Sequence, residues 1–166
     1  MTIKSRLNIK NVKYGKMLPK EFVQELLKLI PEGAKIKKVY FWTSVPKYIR
    51  EKLGRIGGVY GLYNNETQEI HIFLWAIAYG MTPFRAAISK EFSKAITHTF
   101  FHEVGHATHN ITRVNYVKNK LLYEKMAEAF ASEFEDKIEP RADLPFIPVY
   151  SRRGRKYRNR KCIENV

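Results

Sequence analysis

The stretch His98-Thr-Phe-Phe-His-Glu-Val-Gly-His-Ala-Thr-His109 contains H-E-x-x-H, at His102, Glu103 and His106. On an α-helix, residues i and i+4 lie on one face, about 40° apart. His102 and His106 can therefore aim both imidazoles at one point. Glu103 is turned about 100° from His102, so it stands beside that point rather than on it. Two nitrogen donors with a free carboxylate alongside are what a zinc hydrolase needs. The imidazoles hold the metal, and the carboxylate acts as general base toward the attacking water.

A catalytic zinc takes three protein ligands and keeps one position open. Leu121-Leu-Tyr-Glu-Lys-Met-Ala-Glu-Ala-Phe-Ala131 reads as a second helix, with Glu124 and Glu128 again at i and i+4. Seventeen residues separate His106 from Glu124, enough for a helix end, a turn and a returning helix. Glu124 is the candidate third ligand. Glu128, one turn on, is the candidate acceptor for the second N–H of a ligating histidine. Ala127, Ala129, Phe130 and Ala131 flank Glu128, and a lone carboxylate among apolar groups would be costly. The competing reading makes both glutamates ordinary solvated helix charges. His109 is a reserve third ligand. His98, one turn before His102, reads as a helix-surface or rim residue within reach of substrate. The metzincin ligand set fails, because Thr112 stands where its third histidine would be.

These residues resemble the gluzincin zinc metallopeptidases, the thermolysin-like enzymes with H-E-x-x-H and a glutamate ligand. Within them the likeness is to the anthrax lethal factor catalytic domain and to the small single-domain minigluzincins. It rests on H-E-V-G-H, on Glu-Lys-Met-Ala-Glu-Ala-Phe, and on Gly61-Leu62-Tyr63 in a hairpin ahead of the active-site helix. It covers about residues 36 to 138. It implies that His102, His106 and Glu124 bind Zn2+, that Glu103 is the base and that Glu128 supports a ligand. It also implies an α+β fold: a small zincin-like domain whose short mixed β-sheet, with an edge hairpin, packs on an active-site helix and a glutamate helix. Lethal factor carries a tyrosine seven residues before its glutamate ligand that stabilises the transition state; the matching residue here is Val117. Tyr116 and Tyr123 are the candidates left for that role.

Composition is compatible with this reading. The chain has 166 residues, 45% hydrophobic and 28% charged, enough for one domain with its own core. Its single cysteine, Cys162, excludes an intrachain disulfide and fits a reducing compartment. The polar start Met1-Thr-Ile-Lys-Ser-Arg-Leu does not read as a secretory leader, and no run reaches the roughly 18 apolar residues of a membrane span. The expectation is a cytoplasmic protein with no membrane partner.

Outward from the motif, Leu18-Pro19-Lys-Glu21 opens a helix to about Ile30, with Phe22, Val23, Leu26, Leu27 and Ile30 on one face and Pro31-Glu-Gly33 ending it. Alternation from Lys35 to Trp42 predicts a strand, and Pro46 to Leu53 a short helix. Gly57–Tyr63 and Glu69–Trp75 predict a hairpin across Asn64-Asn65-Glu66-Thr67. Its second strand matches the zincin edge that pairs with an extended peptide, and His71 on it is a candidate for facing the cleft, against the plainer reading of an outward polar position. The zinc-bearing helix is expected over about residues 84 to 110.

Net charge is +14, and residues 141–166 hold eight basic and two acidic residues. The chain therefore divides into a metallopeptidase domain, 1–140, and a flexible basic tail, 141–166. The expected function is a zinc-dependent endopeptidase acting on a peptide or protein. A terminal segment folded over the metal would make it latent, with Cys162 as a conceivable thiolate ligand. The alternative is a nucleic-acid-associated or regulatory zinc protein with little general protease activity, its basic tail contacting nucleic acid.

Overall fold

The architecture is built around one long helix, Ser89–Thr108, most of whose residues from Phe92 onward are buried. The computed structural model describes residues 18–42, 59–80, 89–109, 113–141 and 144. Seven elements run in the order α1 (Lys20–Lys28), β1 (Lys38–Trp42), β2 (Gly61–Asn64), β3 (Glu69–Phe73), α2 (Leu74–Gly80), α3 (Ser89–Thr108) and α4 (Arg113–Glu135). This is a small α+β domain with a mixed three-stranded sheet.

α1 forms where the apolar spacing requires it. Phe22, Val23 and Leu26 are buried on one face, while Leu27 and Ile30 are half-buried. The helix stops at Lys28, where the N–H groups of Leu29 and Ile30 turn to the carbonyls of Leu26 and Leu27. Pro31 then prevents continuation.

β1 alternates buried Val39 and Phe41 with Lys38, Tyr40 and Trp42. Strand order is β1-β3-β2, with β1 parallel to β3 and β2 antiparallel to it. The hairpin turn is built on Asn64, whose Oδ1 accepts the N–H groups of Glu66 and Thr67 at 3.0 and 3.3 Å. Such a side-chain turn is the usual reason for Asn there. The turn closes at Gln68, in the left-handed region with φ of 56°.

One expectation changes here. The hairpin's second strand, β3, is the central strand, paired on both sides. The strand nearer α3 at an edge is β2. The hairpin itself forms, from Gly61 to Phe73 rather than from Gly57 to Trp75.

Ile70 and Ile72 of β3 join Phe92, Ile96, Phe100, Phe101 and Val104 of α3 in the main core. Phe73 and Ala76 make a smaller cluster with Trp42, Val59 and Leu62. After α4 the chain returns to α3: the Arg141 N–H donates to Ser93 Oγ at 3.2 Å, and Ile138 and Leu144 are buried in the core. Packing therefore runs past residue 140. The short helix expected over 46–53, most of the basic tail and Cys162 lie outside the described residues. No described helix is long and apolar enough to cross a membrane.

Candidate metal centre

His98, His102 and His106 follow one another at four-residue steps along α3 and share the face turned to α4. The two helices can come this close because of small residues. A Cβ on Gly105 would meet the Ala127 Cα at 3.0 Å and the Phe130 Cβ at 3.2 Å. Ala127 and Ala131 are fully buried opposite it. The glycine of H-E-V-G-H thus sets the spacing between the helices, a role not evident from the zinc pattern alone.

At that spacing three donors converge. His102 Nε2 lies 3.2 Å from Glu124 Oε2 and 3.2 Å from His106 Nε2. His106 Nε2 lies 3.8 Å from Glu124 Oε1. Bonds of about 2.0–2.1 Å in a tetrahedron place ligand atoms about 3.3 Å apart. The three donor separations fall around that value, so the residues present fit a metal ion. Two ring nitrogens that close, facing one carboxylate, are also poorly served by protons alone.

Electrostatics favour the metal-ready forms. Burial, with the neighbouring His102, lowers the His106 pKa to about 4, so its ring is neutral at pH 7 and keeps a free lone pair. Burial pushes Glu124 up, but the Tyr116 hydroxyl and the two histidines outweigh it and hold Glu124 below its ordinary value.

Glu103 sits differently. It is buried, and burial raises its pKa from 4.5 to about 8, with the Glu124 charge adding to the rise and the Tyr63 backbone N–H opposing it. β2 lies directly on it: a Cβ on Gly61 would stand 2.7 Å from Glu103 Oε1. Gly61 is the residue that lets an edge strand approach this carboxylate.

Glu128 accepts from His102 Nδ1 at 3.2 Å, which leaves Nε2 for the metal side. Hydrogen bonds hold it rather than apolar burial, for its side chain is 57% exposed and Ala129 is exposed too. His98 is not a loose rim residue. Its Nε2 faces Glu128 at 3.3 Å and its Nδ1 faces Glu135 at 2.8 Å. Sequence reading missed Glu135; the only available signal was the i−4 spacing of His98 from His102.

A kink decides which of Tyr116 and Val117 faces the cluster. In a straight helix Val117, seven residues before Glu124, would share its face, and Tyr116 would lie about 80° away. α4 is not straight: Asn119 has non-helical φ of −127° and ψ of 30°. The turn N-terminal to it is rotated, so that Val117 is 72% exposed and Tyr116 faces the centre. The Tyr116 hydroxyl donates to Glu124 Oε1, and its ring meets His106 edge-on at 5.9 Å. Tyr123 stacks on Tyr116 at 6.5 Å.

Two candidates are not brought to the cluster. His71 lies on the opposite sheet face, where it accepts from Trp42 Nε1 at 3.0 Å and stacks on Tyr40 at 5.0 Å. His109 Nδ1 donates to the Gly105 carbonyl at 2.6 Å, closing the end of α3. Compared with protein-family models, with curated proteins and with solved structures, the chain matches none.

Proposed function

We propose that this protein is a zinc-dependent endopeptidase of the gluzincin type. The observation that carries the reading is the meeting of His102, His106 and Glu124 donors beside the buried Glu103 carboxylate. A purely structural site has no need of a buried carboxylate next to its ligands. Three protein ligands, two of them histidines and one an oxygen, suit zinc.

When bound, zinc supplies Lewis-acid activation of the scissile carbonyl and of the attacking water. The chain's residues do the rest. Glu103 takes a proton from the attacking water and passes it to the leaving amine nitrogen. Its raised affinity for a proton suits a base, and a neighbouring cation would draw that affinity back toward neutrality. Tyr116 donates its hydroxyl to the developing oxyanion once its bond to Glu124 is released, and Tyr123 braces its ring. Glu128 fixes the His102 tautomer. Among the described residues β2 pairs on one side only, and its free side offers main-chain hydrogen bonds to an extended peptide.

The test is cleavage of a pool of unstructured peptides by the zinc-loaded full chain. Glu103→Ala should lower cleavage by about 10²–10⁴-fold, the usual contribution of a positioned acid–base group. Equal cleavage by wild type and variant would overturn the reading. The excess of basic charge, +14, favours nucleic acid as the second partner. Salt-dependent nucleic-acid binding with no Glu103-dependent cleavage would make that the main function.

A further inference from the structure

The contacts along the α3–α4 seam do not stop at Glu128. They continue outward in an unbroken series: Glu124 to His102, His102 to Glu128, Glu128 to His98, His98 to Glu135. Each carboxylate comes from α4 and each imidazole from α3. We infer that His98 and Glu135 form an outer clamp that positions Glu128 and, through it, the metal-binding histidine His102. This rests on the reading of His102, His106 and Glu124 as a metal centre.

The chemistry of Glu128 gives the reason. A carboxylate that orients a ligating imidazole must itself be held in place. Burial does not do this here, because the Glu128 side chain is more exposed than not. One hydrogen bond to His102 leaves the remaining torsions free to exchange with water. His98 Nε2 supplies the second hold, 3.2–3.3 Å from the two Glu128 oxygens. His98 would swing in turn, were its other nitrogen not fixed on Glu135 at 2.8 Å, the shortest link of the series. Glu135 is the last residue of α4 and His98 lies ten residues into α3. The clamp therefore also locks the register between the two helices that supply the ligands.

Neither residue is a ligand in this arrangement. Among the described residues the His98 ring nitrogens meet the Glu128 and Glu135 carboxylates, and its path to the metal runs through Glu128. The rival arrangement is a second metal held by His98, Glu128 and His102 Nδ1, donors that lie close enough together for an ion. That arrangement would require His102 Nδ1 to give up the proton it donates to Glu128.

The experiment measures zinc affinity of the full chain by competition with a chromogenic chelator, together with zinc stoichiometry. The proteins are wild type, His98→Ala, Glu135→Gln, Glu128→Gln and the double variant His98→Ala/Glu128→Gln. Thermal unfolding without metal checks that each is folded. Losing a direct outer partner typically weakens metal binding about 10–100-fold, and that is expected of Glu128→Gln. His98→Ala and Glu135→Gln should each weaken it by less, about 3–10-fold, because they act at one remove. In the Glu128→Gln background the His98 substitution should change nothing further, since its route is gone.

Retention of the full His98 effect in that background overturns the clamp, as does unchanged affinity in both single variants. Two zinc ions per wild-type chain falling to one in His98→Ala would make His98 a ligand and also overturn it. Wild type that takes up no zinc sinks the metal reading itself, which the stoichiometry reports separately. Glu135→Gln reaches the clamp from its outer end, so the idea stays testable if His98→Ala fails to fold.

Discussion

The seam between α3 and α4 has two edges that obey different physics. Along one edge Gly105, Ala127, Phe130 and Ala131 meet with almost no space to spare, and the Phe101 and Phe134 rings stack at 5.0 Å. Along the other, three imidazoles face three carboxylates at 2.8–3.8 Å, partly open to water. The apolar edge sets how near the helices come. The polar edge uses that nearness and adds little of its own to the fold, for exposed ion pairs contribute about 0–1 kcal/mol each. The difference suggests a division of labour: stability on one side, chemistry on the other. Substitutions should separate the two.

The largest separation is expected at Glu124. Structural zinc binds with about 10–16 kcal/mol shared over four ligands, so one ligand is worth roughly 3–4 kcal/mol. Glu124→Ala should therefore weaken zinc binding by about 10²–10³-fold. Its melting temperature without metal should stay near that of wild type, because the side chain is partly exposed and its partners can turn to water. Chelator competition and calorimetry check both halves. A collapse of the metal-free fold would mean that the polar edge is structural after all.

Gly105→Val breaks the other edge. The new side chain starts 3.0 Å from backbone, which cannot swing aside. Overpacking of this kind costs about 1–3 kcal/mol, read as a lower midpoint in urea. Zinc affinity should fall with it, although no ligand has been touched. A variant with unchanged stability would show that the seam has slack and that Gly105 does not set the spacing.

Glu103 is the one residue in which the two labours conflict. Its carboxyl is buried and keeps its proton in the fold up to about pH 8, while the unfolded chain gives the proton up near 4.5. Between those values the unfolded state binds fewer protons, so its stability relative to the fold improves as pH rises. The metal-free protein should accordingly lose stability from about pH 4.5 to about pH 8. Glu103→Gln keeps the shape without the ionisation. Its melting temperature should match wild type at low pH and exceed it increasingly toward pH 8. Added zinc should narrow the wild-type pH dependence, because a nearby cation favours the ionised carboxylate. Parallel melting curves for the two proteins across this range would rule out a buried, proton-holding Glu103.

What could be read from the sequence, and what could not, divides along the same lines. Local rules found α1, the hairpin and both long helices, since apolar spacing and Asn64 turn chemistry act over a few residues. His102 and His106 were legible because i,i+4 geometry is fixed by the helix itself, whereas Glu124 was reached only through its distance along the chain from His106 and the resemblance. Strand order was not, because nothing within β3 distinguishes a central strand from an edge; β1 pairs with it from 31 positions away. The face taken by His71 was open for the same reason, since it depends on the sheet's neighbours. His98 and Glu135 meet across 37 residues, and no local pattern announces that pairing.

The kink at Asn119 is the subtlest case, and it allows the finest test of how the polar edge is assembled. The resemblance noted in the sequence implies an oxyanion-stabilising tyrosine at position 117, and 117 is valine. The structure turns Tyr116 inward instead and leaves Val117 in solvent. Tyr116→Phe removes one candidate donor and should lower kcat by about 10²-fold with little change in KM, as for other oxyanion donors. Adding Val117→Tyr to that variant restores the tyrosine to the position that a straight helix would favour. If the kink sets which side chain faces the centre, this second change recovers nothing, and the double variant is as slow as the first. Recovery would mean that α4 can straighten at Asn119, and that the turn bearing Tyr116 belongs to the mobile chemistry rather than to the fixed scaffold.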